Sequence, residues 1–180
     1  MSTDAIPLRT VDPLPGYPAP IGAALWTLEE GRRRTMRVIA DLPPEIFYRT
    51  EAPPGNTIAS LLYHIAAIEA DWLFSEILER SFPPEVADLF PFDVRDNDGR
   101  LTAVAGLGPE DLTRRLETVR ITLLDSMRGM TIEEYRRVRT FKNYKVTPEW
   151  ALHHLALHES EHRGQIGEIR RRVGVPRPRI

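Results

Sequence analysis

Apolar residues recur every three to four positions in four long stretches of this chain, the period of a helix with one buried face. The first stretch predicts a helix from about Gly22 to Ala40, with Leu25, Leu28, Met36 and Ile39 turned inward. Arg32, Arg33 and Arg34 read as its solvated face, and Pro43 and Pro44 stop it. The second, capped by Asn56 or Thr57, runs to about Glu79 and buries Ile58, Leu61, Ile65, Ile68 and Trp72. The third spans about Pro109 to Arg128, with Leu112, Leu116, Val119, Leu123 and Met127 inward and Gly129 ending it. The last spans Thr147 to Val173. Thr147 suits the cap, Pro148 the first helical position, and Glu149 the positive end of the helix dipole. Ala151, Leu155, Ile166, Ile169 and Val173 form its buried stripe. Four such helices predict an all-α four-helix bundle.

The segments between them are marked by proline and glycine. Residues 1–20 hold five of the sixteen prolines, which predicts an extended arm over 1–21 lying across a bundle domain of residues 22–180. Pro53, Pro54 and Gly55 make the next break. Residues 80–108 carry no clear period, and a segment of that length predicts a crossover or a functional loop between the second and third helices. Those two helices therefore need not be adjacent antiparallel neighbours. Phe82, Leu89, Phe90 and Phe92 are placed to tuck this segment onto the body. Thr131 with Glu134 forms a capping box for a short helical turn through Arg137, and Arg139 to Val146 is an extended connection. There is no internal repeat, no glycine-rich phosphate loop and no Gly-x-Ser-x-Gly.

Composition removes several kinds of chemistry. With no cysteine there is no disulfide, thiolate ligand or cysteine nucleophile, so any metal must be held by His, Asp or Glu. The net charge of −2 gives no case for nucleic-acid binding across the surface. The basic run at the C-terminus, RRRVGVPRPRI, suits a helix end that then frays. No apolar run of 18 residues predicts a membrane span, and the N-terminus lacks the pattern of a signal peptide, which makes the cytoplasm the expected location.

Four of the five histidines lie in the last helix. At about 100° per residue, His158 and His162 project into its apolar stripe, His154 at the edge, and His153 away. Buried imidazoles are costly unless their nitrogens find partners, and at i, i+4 both can reach one metal ion. The competing reading is two core histidines bonded to other side chains. His64 projects at the edge of the second helix's buried stripe, near the bundle axis and not in open water, and makes a third candidate donor. Three imidazoles suit a divalent ion, zinc or nickel first, with iron, cobalt or manganese after. The string His158-Glu159-Ser160-Glu161-His162 also fits the H-E-x-x-H peptidase signature, but Gln165 and Glu168 stand where the long form needs Gly and His. Glu159 is a candidate proton acceptor, against a reading as a partly solvated helix charge. Gln165 is a candidate to orient a water or a histidine. Asp71, two turns after His64, is a weaker supporting candidate. His154 could be a fourth ligand, against a reading as a flanking polar residue. Arg163, Phe141 and Tyr144 are candidates for pocket lining.

His158-x-x-x-His162-Arg163-Gly164-Gln165 resembles the last-helix signature of the DinB-like superfamily, which includes the YfiT-type proteins. His64 in LLYHIAAIEADWL, followed by Trp72, resembles the second-helix motif of that family. The resemblance extends over residues 22–173. It implies a four-helix bundle with paired halves, often a homodimer, and a divalent metal on His64, His158 and His162. Members are described as metal-dependent hydrolases. Others resemble thiol S-transferases or isomerases, in which the metal activates a low-molecular-weight thiol as thiolate. The expected function is thus a metal-dependent enzyme acting on a small-molecule substrate with water or a thiol. The alternative is a non-enzymatic, stress-associated bundle in which the metal is a structural staple or marks a ligand site.

Overall fold

The computed structural model describes residues 6, 8–50 and 55–176. Pro53 and Pro54, and the last four residues of the basic tail, lie outside the described residues. The elements are α1 (Ala19–Ile39), a 3-10 turn (Pro44–Tyr48), α2 (Ile58–Asp71), α3 (Pro84–Ala87), α4 (Pro109–Met127), α5 (Ile132–Arg136), β1 (Arg139–Thr140), β2 (Lys145–Val146) and α6 (Pro148–Arg172). α2 passes without a break into a π-helical turn over Trp72–Ile77. The four long helices form the bundle.

Local chemistry explains the boundaries. Thr57, Thr131 and Thr147 each turn a hydroxyl back to accept from the amide of Ser60, Glu134 and Trp150, satisfying a donor that a helix start leaves orphaned. At α4 the carboxylate of Asp111 accepts from Gly108 N at 3.2 Å instead. Gly129 adopts a φ of 77° just past α4, a conformation that costs glycine little. The loop after β1 turns directly back, so the predicted extended connection is a small antiparallel hairpin pairing Arg139 with Val146 and Thr140 with Lys145.

Two apolar clusters fill the bundle and define how the helices run. One gathers Ile39 from α1, Ile58, Leu61 and Ile65 from α2, Leu112 and Leu116 from α4, and Ile166 from α6. The other gathers Ile21, Leu25 and Leu28 from α1, Ala70 from α2, Leu73 from the π-helical turn, Val119, Leu123 and Met127 from α4, and Ala151, Leu152 and Leu155 from α6. α1 and α6 therefore run parallel, and α2 and α4 run parallel in the opposite sense. Side chains confirm the first pairing. Arg163 donates to Gly31 O at 3.4 Å, and Arg170 donates to Val38 O at 2.7 Å. Arg170 also clasps both carboxylate oxygens of Asp41 at 2.6 and 2.9 Å and is buried, so this arginine of the basic run is a core anchor and not a solvated helix end.

Parallel neighbours cannot be joined by a tight turn, and this is why residues 78–108 are long. The segment starts among Phe82, Val86 and Leu89 at one pole and ends among Phe92, Val94, Leu101, Val104 and Leu107 at the other, with Phe90 touching both clusters. It is the expected crossover, pinned by the expected aromatics. α2 and α4, which that length allowed to be separated, pack together. The described part of the N-terminal arm also lies on the body. Leu14 N donates to Gly22 O at 3.1 Å, and Tyr17 donates to Leu124 O at 3.0 Å. A Cβ at Gly22 would stand 2.7 Å from Leu14 O, so the arm and α1 can meet only at glycine. No helix among the described residues is long and apolar enough to cross a membrane.

Candidate metal centre

α2 and α6 run antiparallel beside each other, which brings His64 opposite His158 and His162. The Nε2 atoms of His64 and His158 are 3.0 Å apart, and those of His158 and His162 are also 3.0 Å apart. The ring centres lie 4.4 to 4.9 Å from one another. These three are the one group of three or more His, Asp or Glu with converging donor atoms among the described residues, and their ligand atoms fall within 4.8 Å. His64 is the buried member, whereas His158 and His162 are half-buried. This reverses the helical-wheel expectation, which put the α6 pair in the apolar stripe and His64 at an edge. α6 buries Leu152, Leu155, Glu159, Ile166 and Gly167, and the two histidines flank that surface on the α2 side.

The protonation chemistry suits a cation. Burial, then the neighbouring imidazole of His162, pushes His64 down to about 4; the same causes, with His64 and His154 adding, push His158 down to about 3. Both rings are neutral at ordinary pH. Gln165 Oε1 lies 3.1 Å from His162 Nδ1 and can only accept there. The proton of neutral His162 is thereby held on Nδ1, and its Nε2 presents a lone pair to His158. With its ring neutral, the single Nε2 of His158 faces two other Nε2 atoms and carries at most one proton to share between them. A divalent ion satisfies all three lone pairs together, so the donor set fits one. His64 Nδ1 is buried without a hydrogen-bond partner, an orphan on the far side of the ring.

The remaining sequence candidates separate. Glu159, expected to be partly solvated, is 3% exposed. Its carboxylate accepts from Arg32 Nε at 2.9 Å and from Arg120 Nη2 at 3.3 Å. Glu69 accepts from the same two guanidiniums, at 2.7 Å from Arg32 and at 2.7 and 2.9 Å from Arg120. Arg32, Glu69, Arg120 and Glu159 thus form a buried tetrad with one member from each bundle helix, and Glu29 adds a rim contact to Arg120. Arg32 does not belong to the solvated face assigned to it. Reading by residue type missed the tetrad, although a signal existed: each member stands four residues after a buried apolar one, at Leu28, Ile65, Leu116 and Leu155.

His154 is half-buried between Trp72 and Trp150, with ring centres at 4.5 and 5.1 Å, and lies outside the converging group. His153 is exposed, as projected. Asp71 accepts from Ser75 on the exposed side of α2. Arg163 reaches towards α1 and Ser160. Tyr144 lines a groove beside Trp72 and Trp150, and Phe141 stacks on it at 5.2 Å.

Comparison with known proteins places this geometry. A family model described as the DinB superfamily matches residues 27–166, most of the chain and both histidine-bearing helices. The chain belongs to the DinB superfamily. It is 22% identical over 156 residues to the uncharacterized protein YkkA of Bacillus subtilis, covering 85% of this chain and 88% of that one. Among solved structures it is similar to YfiT of Bacillus subtilis, described as a probable metal-dependent hydrolase with an unusual four-helix bundle topology. There the TM-score is 0.60 at 16% identity, over 85% of this chain and 87% of the other. A conserved protein of Enterococcus faecalis matches with a TM-score of 0.64 at 18% identity, over 82% and 93% of the two chains. A DinB-like protein of Bacillus cereus matches with a TM-score of 0.60 at 19% identity, over 89% and 97%. At these identities the structural matches establish the shared four-helix bundle of the superfamily.

Proposed function

We propose that this DinB-superfamily protein is a metal-dependent enzyme whose divalent ion is held by His64, His158 and His162. The observation that carries the reading is the convergence of three imidazole Nε2 atoms, that of His158 lying 3.0 Å from each of the other two, in a half-exposed site. Three protein donors are the usual complement of a catalytic ion, whereas structural sites close around four. Such an ion supplies Lewis acidity that brings the pKa of a water or a small thiol down towards about 7. The chain's own residues do the rest. Gln165 fixes the tautomer of His162. The half-buried edges of His158 and His162 leave access for a small-molecule substrate. Glu159, held by two guanidiniums, has no proton-transfer role in this reading, and the H-E-x-x-H peptidase reading fails with it. Zinc or nickel suits the all-nitrogen set best. Hydrolysis is the first reaction class, by the description of YfiT; transfer to a low-molecular-weight thiol in the cytoplasm, by a homodimer, is the finer alternative.

Elemental analysis of the purified protein tests this directly. One equivalent of a divalent transition metal is expected, lost in His158→Ala while the helical circular dichroism is kept. Wild-type protein that takes up no metal when dialysed against zinc or nickel at pH 7.5 would overturn the proposal.

A further inference from the structure

Past the histidine triad, α6 carries a ladder of rings at i, i+4 spacing: His162, His158, His154 and Trp150. At a rise of 1.5 Å per residue, Trp150 lies about 12 Å along the axis from His158. There the ladder opens on a groove of about 760 Å³ between the π-helical end of α2, β2 and the start of α6. Its walls include Trp72, Trp150 and Tyr144. Trp72 and Trp150 have ring centres 5.4 Å apart, Trp150 is 50% exposed and Tyr144 is 45% exposed, so large aromatic surface faces solvent.

At this groove lies a carboxylate with no counter-charge. Glu76 is 7% exposed. Tyr144 donates to its Oε1 at 2.6 Å, but Oε2 is buried without any hydrogen-bond partner. Burial, with the charge of Asp71 adding, pushes its carboxyl up from the ordinary range. Asp71 adds a second carboxylate to the lining, and exposed Lys145 is the basic residue on it. The π-helical turn that ends α2 carries both Trp72 and Glu76. Arg139 holds the hairpin against the end of this turn by donating to Ile77 O at 3.0 Å, which brings Tyr144 over Glu76.

We infer that this groove binds an organic ammonium group, seated on Trp72, Trp150 and Tyr144 and paired with Glu76. Aromatic faces attract cations through their quadrupoles, and a buried carboxylate supplies the opposite charge. The inference deepens the functional reading, on which it rests only for the other end of the molecule: the substrate class becomes an amine or quaternary ammonium compound with its reactive bond roughly 12 Å away, given the helix rise.

Calorimetric titration of the metal-free full chain at pH 7.5 with hexyltrimethylammonium, hexan-1-ol and hexanoate tests it without any turnover. The ammonium is expected to bind at least tenfold more tightly than the alcohol, and hexanoate not measurably. Glu76→Gln is expected to lower ammonium affinity at least tenfold with helical content unchanged. Should that variant not fold, Trp150→Leu at a half-exposed position is expected to give the same loss. His158→Ala is expected to stay within twofold of wild type, so failure of the metal reading leaves this result standing. Equal affinity for all three probes, unchanged ammonium binding in Glu76→Gln or Trp150→Leu, or an equal loss in His158→Ala would overturn the inference.

Discussion

Gln165 and the histidines it serves define what single residues do here. His64 and His158 ionise far below the ordinary histidine value of about 6.5. A depressed histidine binds its proton more readily in the unfolded chain. Its contribution to stability is therefore complete above about 6.5 and is lost as pH falls towards the folded values, about 4 for His64 and about 3 for His158. The metal-free protein should keep a constant Tm from pH 8 to 7 and lose it progressively between pH 6.5 and 4.5, before the paired carboxylates titrate. Glu76, raised by burial, acts in the opposite sense, so the informative comparison is with His64→Gln/His158→Gln, in which the decline should flatten. A second expectation concerns Gln165→Ala. Freed from its acceptor, His162 can place its proton on Nε2, and metal affinity should fall by about 10- to 100-fold in a competition titration against a chelating dye. An unchanged affinity would show that Gln165 does not set the tautomer.

Between elements, the tetrad joins the four helices at one level. Neutralising one member leaves a buried, uncompensated charge, and breaking such a pair typically costs about 3–5 kcal/mol. Glu69→Gln should lower the unfolding free energy by about that amount in urea titration, with little change in metal content. A loss within the error of the titration would mean that Arg32 and Arg120 find water or Glu159 as sufficient partners. Periodicity placed each long helix to within three residues at its start, because caps, prolines and apolar spacing are local properties. Arg32, Glu69, Arg120 and Glu159 were open to the same arithmetic, since each occupies a stripe position. Charge type alone pointed Arg32 outward, and only the packed helices show that two cations and two anions neutralise one another.

For the molecule as a whole, the fold has two apolar clusters and the tetrad to hold it, and none of the three histidines is a member of either cluster. Metal removal should therefore leave it folded. Treatment with EDTA is expected to keep the far-ultraviolet dichroism and lower the unfolding free energy only by the linkage term, about 2.7 kcal/mol at a hundredfold excess of ion over Kd. Melting of the bundle on chelation would favour the structural-staple reading, because structural sites couple metal binding to folding.

The sequence by itself determined the four amphipathic helices, the caps of the second and the last, the long crossover and the three histidines, because each depends on neighbours a few residues apart along one rod. The tertiary structure decided that α1 runs parallel to α6 and α2 to α4, that His64 is the buried ligand candidate, and that Glu159 faces arginines and not the triad. It also brought Tyr144 from the hairpin over Glu76. Those outcomes depend on which faces of separate helices meet, and apolar periodicity specifies that a face is buried without specifying its partner.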